Sequence, residues 1–428
     1  MNRHLVVMSV DAMVYEDFDV MRGLPHFAPF FTEGARVNRV RSCYPALTHP
    51  IHASIVTGCW PVRTGICNNE IFTPGDPAPD WYNNLSDIQV PTIFHAAHAA
   101  GYTSACSRWP VTSLAGDVID YLVPEVLREE ADVAAPLLRQ GSGPIMADIV
   151  APNLHRLNGN KRPNYDAFAN ACAADILRKY RPNLLFTHPG QVDTTRHRYG
   201  VFSDKVPEAL ALVDSWLGAL MQAARDAGIY EQTDFVVLSD HGQLDIVRTL
   251  CPNVLFADAG LITLDAQGGV AHWEAYMQSA ALSGQVFLRD PGDAQLCQRV
   301  YALLRRWCDE GIYGMSQVLT AEEAREEYHL AGGFSFVVET DGYTSFGNDW
   351  RRPLVRPLDA SDYKYGHATH GHMPEKGPQP PLLCMGPHFA PGAVLETADI
   401  VDEAPTFARA LGLQMPSADG KALEALLR

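Results

Sequence analysis

Three short apolar runs in this chain lead directly into groups that bind cations. Asp11 closes "LVVMSVD", Asp193 and His197 follow "LLFTHPGQ", and Asp240 with His241 close "FVVLSDH". Asp193-x-x-x-His197 sets a hard oxygen donor and an imidazole nitrogen four residues apart, which one helical turn or a compact loop brings to one side. Taken alone, that pattern is more often an Asp capping a helix beside a solvated His. Together with Asp11 and the Asp240-His241 pair, it reads as a metal-binding set. A Gly-rich stretch, "YGHATHGHMPEKG" (365–377), adds His367, His370 and His372, of which one is expected to be a ligand; spacing alone does not choose among them. Mixed carboxylate and imidazole donors suit Zn²⁺ or Mn²⁺, whereas all-oxygen donors would suit Mg²⁺ or Ca²⁺.

Thr48 stands in "CYPALTHPIHASIVTG" (43–58). Pro50 suits the first turn of a helix that "IHASIVTG" continues, so the Thr48 hydroxyl lies at the helix's positive end. It could cap the helix. Beside two metal ions roughly 4 Å apart, which polarise a phosphoryl oxygen and stabilise a leaving oxygen, it could instead be a nucleophile. The local context leaves both readings open.

The elements that must position these groups follow from alternating patterns. "HLVVMSV" (4–10), "YTSAC" (102–106), "NLLFTH" (183–188) and "DFVVLSD" (234–240) read as buried strands separated by helices. Such runs predict a largely parallel sheet covered on both faces, with ligand sites at the carboxyl ends of its strands. Residues 206–228 carry the spacing of an amphipathic helix that stops at Gly228. From about 251 the pattern changes to strand, helix and strand ("GQVFLRD", "DAQLCQRVYALLRRWCDEG", "GFSFVVET"). We therefore expect a first part of a catalytic core at 1–250, a small α+β insertion at 251–345, and the last part of the core at 346–428, ending in one strand-like run and an amphipathic helix.

Composition narrows the function classes. The 428 residues are 47% hydrophobic and 19% charged, without a low-complexity tract, as in an ordered α/β enzyme. A net charge of −17 without a basic run excludes a surface that coats a nucleic-acid polymer. The same charge would repel an anionic substrate unless a local cationic centre, such as a metal pair, reversed the field. No uncharged apolar stretch reaches about 18 residues, so no membrane-spanning helix is expected. The start lacks signal-peptide features, and the nine cysteines form no CxxC pair, so reduced thiols and a cytoplasmic location are expected. Oligomeric state has no signal in the sequence.

In their order along the chain, these residues resemble the alkaline phosphatase superfamily and, within it, the type I phosphodiesterase/nucleotide pyrophosphatase family. The family's sequence of elements is a strand-ending Asp, Thr-Phe-Pro-Asn-His, Gly-Ile-x-x-Asn, Asp-x-x-x-His, Asp-His-Gly and a late His-Gly. Here they are Asp11, "THPIH" (48–52), "GICNN" (65–69), "DTTRH" (193–197), "DHG" (240–242) and "THG" (369–371). "GYTSACSRWP" (101–110) and "CPNVLFADAGL" (251–261) are similar as well. The resemblance implies an alkaline-phosphatase-like sandwich with a mainly parallel central sheet, helices on both faces and a small α+β insertion. It implies one metal ion on Asp193, His197 and His370 and a second on Asp11, Asp240, His241 and the Thr48 oxygen. Thr48 would attack phosphorus to form a phosphothreonine that water then hydrolyses. Asn69, 21 residues beyond Thr48, would donate to a nonbridging oxygen, and His52 would be structural.

The implied activity is hydrolysis of phosphodiester or pyrophosphate bonds in a small organic substrate. A phosphonoacetate-type phosphonate hydrolase is the nearest alternative, followed by a phosphomutase or phosphotransferase and, last, a non-catalytic metal-binding homologue. Substrate-pocket positions depart from the family. His49 replaces the usual Phe, Ile51 replaces the motif Asn, and His188 stands where Tyr is common. His49, His188 and Trp109 are the candidate pocket walls, a buried core position being the alternative for Trp109. Arg196 and Arg198 read as solvated surface residues, and no residue is identifiable as a guanidinium clamp on the phosphoryl group.

Overall fold

Every residue of the strand His4–Ser9 is buried, as expected of a strand with both faces covered. The computed structural model describes residues 3–126, 134–159, 161–361 and 365–428. The elements that matter for the site are, in chain order, β1 (His4–Ser9), β2 (Ala35–Arg41), α1 (Thr48–Thr57), β3 (Ser104–Ser107), β4 (Tyr121–Val123), α2 (Asn164–Tyr180), β5 (Leu184–Thr187), α3 (Gln191–Tyr199), α4 (Val206–Asp226), β6 (Thr233–Leu238), β7 (Ala275–Ser279), β8 (Ser283–Leu288), α5 (Ala294–Glu310), β9 (Met315–Thr320), β10 (Phe336–Thr340), β11 (Leu382–Met385), β12 (Val394–Asp399) and α6 (Glu403–Leu411).

The central sheet has eight strands in the order β12-β2-β11-β6-β1-β5-β3-β4. β1 pairs in parallel with both β5 and β6, β3 with β5 and β4, and β12 with β2. Only β11 runs antiparallel to its neighbours β2 and β6. The fold is thus the mainly parallel α/β sandwich expected from the strand runs. Alternate side chains of β1 enter opposite cores. Val6 and Met8 meet Phe168 and Leu177 of α2 and Leu210 and Leu217 of α4. Leu5 and Val7 meet Ile51 and Ile55 of α1 and Phe407 and Leu411 of α6.

β2 and β12 carry no continuous apolar run. β12 is an edge strand with no fully buried position, so nothing in its sequence had to be apolar. Residues 275–340 build a second, four-stranded antiparallel sheet in the order β7-β8-β10-β9. Helix α5 closes its core by packing Val300, Leu304 and Trp307 against Val286, Val318 and Phe336. This sheet also supports the site: Leu282 N donates to His370 O (3.0 Å), and Ser283 Oγ donates to Gly371 O (2.6 Å).

Candidate active site

The carboxyl ends of β5, β1 and β6 lie side by side, and each delivers polar groups to the same place. Val10 N bonds Leu238 O (2.8 Å) and Asp11 N bonds Pro189 O (3.1 Å), so the three strand exits are tied together. Asp11 follows β1, His188 follows β5, and Asp240 with His241 follow β6. Helix α3 starts just beyond β5 and carries Asp193 and His197 on one face, with His197 Nε2 3.0 Å from Asp193 Oδ1. His370 arrives from the other end of the chain, after a two-residue strand, Ala368–Thr369, that pairs with Leu244–Asp245.

Two ligand sets result. One potential ligand atom from each of Asp193, His197 and His370 lies within 4.8 Å of the others, and the same holds for Asp11, Asp240 and His241; all six residues are buried. The sets adjoin, since the rings of His241 and His370 stack with centroids 3.9 Å apart. Of the three loop histidines, His367 is exposed and His372 is buried outside either set.

The chemistry of these donors fits divalent cations. Asp11 Oδ1 and Asp240 Oδ2 are buried acceptors without a hydrogen-bond donor among the described residues. Burial, reinforced by repulsion from Asp193, pushes the Asp11 carboxyl well above the carboxylate range and Asp240 up to about 7. Burial alone would raise Asp193 too, but the imidazoles of His197, His370 and His241 outweigh it and hold that group below the usual range. Burial lowers His370 to about 4 and His241 well below its ordinary value, so both rings are neutral with a lone pair to offer at pH 7. Three carboxylates packed this closely in a buried site call for positive charge to offset their desolvation. His197 Nδ1 donates to Ala368 O (2.6 Å) and His370 Nδ1 to Ala46 O (2.9 Å), which turns each Nε2 toward Asp193. Gln243 Nε2 donates to Asp193 Oδ1 (2.6 Å), a support that no sequence motif announces although Gln243 directly follows Asp-His-Gly.

Thr48 is the first residue of α1. Leu47 holds the cap position in extended conformation, and no side chain caps the helix. The Thr48 hydroxyl is left for another use, 3.2 Å from His241 Nε2. His52, one turn on, donates through Nδ1 to Thr48 O (2.7 Å) and meets Ser9 Oγ through Nε2 (3.0 Å). Asn69 Oδ1 accepts from His49 N (2.9 Å), so the amide's Nδ2 donors face away from that contact. Gly371, with φ +94°, bonds Ala46 O through its N (2.8 Å), and a Cβ there would lie 1.8 Å from Ala280 O. Glycine is required because the loop before Thr48, the His370 loop and the second sheet meet at that point.

A cleft of about 730 Å³ opens over these groups, lined by Asp11, Thr48, Asn69, Asp193, His197 and His370, with His49, His188 and Trp81 on its walls. Trp109 is not a wall. It is fully buried and packs edge-on against His52 and Phe186. The preceding residue, Arg108, has φ +61° and reaches the cleft, so consecutive side chains part to opposite sides. The aromatic side chains lining the cleft among the described residues are Trp81, edge-on to His49 at 5.0 Å, and Tyr165. Arg108 supplies the buried guanidinium that sequence motifs did not reveal, but Asp166 and Glu125 already pair with it.

Arg196 also departs from expectation. It is fully buried, with Nη2 2.8 and 2.6 Å from the two oxygens of Asp17 and Nε 3.0 Å from Ala12 O. The Asp17 carboxylate makes this burial tolerable, and the pair pins α3 to the loop after β1, joining the two ligand sets. Arg198 is exposed at the cleft. Replacing Arg196 with Met should leave Asp17 buried and unpaired and destabilise the fold by roughly 3–5 kcal/mol, read as a lower midpoint in urea unfolding. An unchanged midpoint would reject the clamp.

Residues 5–371 match the family model described as Type I phosphodiesterase / nucleotide pyrophosphatase. Venom phosphodiesterase 2 of Crotalus adamanteus is 24% identical over 260 residues, 56% of this chain and 27% of that protein. Ectonucleotide pyrophosphatase/phosphodiesterase family member 1 of Rattus norvegicus is 25% identical over 249 residues, 55% of this chain and 24% of that protein. The chain spans about a quarter of the length of these curated relatives. An inactive variant of murine ectonucleotide pyrophosphatase/phosphodiesterase 5, solved in complex with AMP, shares the fold with a TM-score of 0.69 over 100% of both chains at 18% identity. The human protein of the same name gives 0.70, again over 100% of both chains, at 17% identity. The family model extends from β1 through the His370 loop and so takes in both ligand sets, Thr48 and Asn69; the chain belongs to the type I phosphodiesterase/nucleotide pyrophosphatase family.

Proposed function

We propose that this chain is a two-metal hydrolase that cleaves phosphodiester or pyrophosphate bonds of a small organic substrate through a phosphothreonine on Thr48. The observation that carries this reading is a threonine hydroxyl that caps no helix and sits 3.2 Å from His241, beside two buried ligand sets. Divalent ions, Zn²⁺ by preference and Mn²⁺ as the alternative, would be held by Asp193, His197 and His370 and by Asp11, Asp240, His241 and Thr48, and would offset negative charge developing on the phosphoryl oxygens.

The chain's own residues do the rest. Thr48 Oγ1 attacks phosphorus in line as its proton passes to solvent water, and the bond to the leaving oxygen breaks with its electron pair, that oxygen taking up a proton from solvent. Asn69, oriented by His49 N, donates through Nδ2 to a nonbridging oxygen. The first-turn amides of α1 add a positive end beside the same oxygens. Water then attacks from the vacated side, the P–Oγ1 bond breaks, and the threonine hydroxyl is restored. AMP bound to the murine fold neighbour supports a small phosphate ester as substrate. The nine cysteines, all free thiols, support a reducing, cytoplasmic setting. Among the described residues no helix is long and apolar enough to cross a membrane.

Side-by-side turnover of bis(4-nitrophenyl) phosphate, 4-nitrophenyl phosphate and phosphonoacetate tests the reaction class. The diester is expected to be cleaved at least about tenfold faster than the others, a difference of about 1.4 kcal/mol in the barrier. Dominant phosphonoacetate cleavage would overturn the reading. A phosphotransferase would release phosphate without oxygen from labelled water.

A further inference from the structure

Helix α3 carries Asp193 and His197 on one face and a cationic face beside it. Thr194 and Arg198 each stand one residue further on, about 100° round the helix, and lie four apart, so they share a side. Thr194 Oγ1 accepts from Arg162 Nη1 (2.9 Å), which brings a second guanidinium to that side. Gly190, the residue before α3, makes room for it, since a Cβ there would overlap the Arg162 guanidinium. Arg162, Thr194 and Arg198 are walls of the cleft over Thr48 and also of an adjoining groove of about 610 Å³.

Charge along this wall does not balance. Asp166 pairs with Arg108 and lies 3.5 Å from Arg162 Nε, and Glu125 lies 3.5 Å from Arg108 Nη2. Arg198 is exposed and its side chain has no ion pair or hydrogen bond among the described residues. Three guanidiniums thus face two carboxylates, and Lys161 adds a further cation to the cleft lining. The other carboxylates that line the cleft, Asp11 and Asp193, belong to the metal sets. In the adjoining groove Lys205 and Glu208 cancel. Arg162 Nε is moreover a buried donor without a hydrogen bond. This wall is positive in a chain whose net charge is −17, and planar guanidinium donors match the oxygens of a carboxylate or a phosphate.

We propose that Arg162 and Arg198 form a subsite for a second anionic group, so that the ester cleaved at Thr48 carries a carboxylate or a phosphate a few atoms away from the scissile phosphorus. The separation follows from α3, which turns the metal ligands and the guanidiniums to adjoining faces rather than to one point. This deepens the hydrolase reading and rests on it for where phosphorus lies. It also gives an acidic chain a means of drawing a polyanion to one end of the cleft.

Equilibrium binding to the metal-loaded full chain tests the subsite without requiring turnover. Salt at about 0.15 M screens charges more than about 8 Å apart, so that bulk attraction contributes little. The probes are ω-carboxyalkyl phosphates and alkanediol bisphosphates with chains of increasing length, each compared with the alkyl phosphate of equal length. At the matching length the second anion is expected to tighten binding at least roughly tenfold, and the series that responds identifies carboxylate or phosphate. In Arg198→Gln, which removes an exposed side chain and should fold, the ratio is expected to fall to within about threefold of one. A wild-type ratio below about tenfold at every length overturns the proposal. So does a ratio that Arg198→Gln leaves unchanged. Bis(4-nitrophenyl) phosphate has no second anion, so absence of its turnover alongside a retained ratio would sink the hydrolase reading and leave the subsite standing, whereas turnover without the ratio would sink the subsite alone.

Discussion

Thr48→Ala is expected to lower turnover of bis(4-nitrophenyl) phosphate by about 10⁴-fold or more, the scale on which removal of a covalent nucleophile is felt. The fold should tolerate the change. The hydroxyl caps nothing, and alanine is a favourable residue inside a helix. Asp11, Asp240 and His241 remain as one ligand set and Asp193, His197 and His370 as the other, so elemental analysis should find metal content largely intact. A melting curve close to wild type, intact metal and lost turnover together would isolate the chemistry of one oxygen. Unchanged turnover excludes Thr48 as nucleophile. Mass spectrometry of rapidly quenched wild-type protein should further show a phosphoryl adduct on the peptide containing Thr48, which the variant lacks.

Metal removal should have an effect of similar size. Exhaustive chelation is expected to abolish turnover, and Zn²⁺ should restore it, because Asp11 Oδ1 and Asp240 Oδ2 have no hydrogen-bond donor among the described residues. Asp193→Ala should lose one ion per chain and depress turnover by about 10³-fold or more, since it removes the oxygen shared by His197, His370 and Gln243. Full activity in either preparation would reject the metal assignment.

The metal-free protein should also carry a pH signature. Folding raises the Asp11 and Asp240 carboxyls above their unfolded values, through burial first. Groups raised in this way leave stability intact below the unfolded pKa of about 4 and withdraw it as pH climbs through the folded value, about 7 for Asp240. His370 and His241, lowered by burial, oppose this up to their unfolded value of about 6.5, so the metal-free melting temperature is expected to fall between about pH 6.5 and pH 8, and added Zn²⁺ should flatten that slope through preferential binding to the folded state. Scanning calorimetry with and without metal would detect it.

Some of this site was readable from local pattern. Asp11, His188, Asp240 and His241 stand where apolar runs stop, and a parallel sheet places such residues at one edge whatever the details of packing. Asp193 and His197 share a face because a helix repeats every 3.6 residues. Thr48 falls at a helix start that Pro50 and the following apolar residues announce. Each inference uses only the periodicity of a single element.

Other assignments depended on partners far away in the chain. Arg196 looks like a surface cation until Asp17 is found 179 residues earlier to accept it. Trp109 looks like a cleft wall until the φ +61° turn at Arg108 sends it inward. Glu125 has no motif at all, and only its approach to His49 and Arg108 places it in the cleft. Spacing could not separate His367, His370 and His372, whereas the Ala46 carbonyl orients the one whose Nε2 turns toward Asp193. By itself, then, the sequence determined the parallel sheet, the family and the residues that its strand and helix ends present, because those follow from period and order. Only the tertiary structure decided which charges are buried, which histidine of the loop joins the site and which side chains line the cleft, because burial and hydrogen bonding are properties of pairs that no local pattern contains.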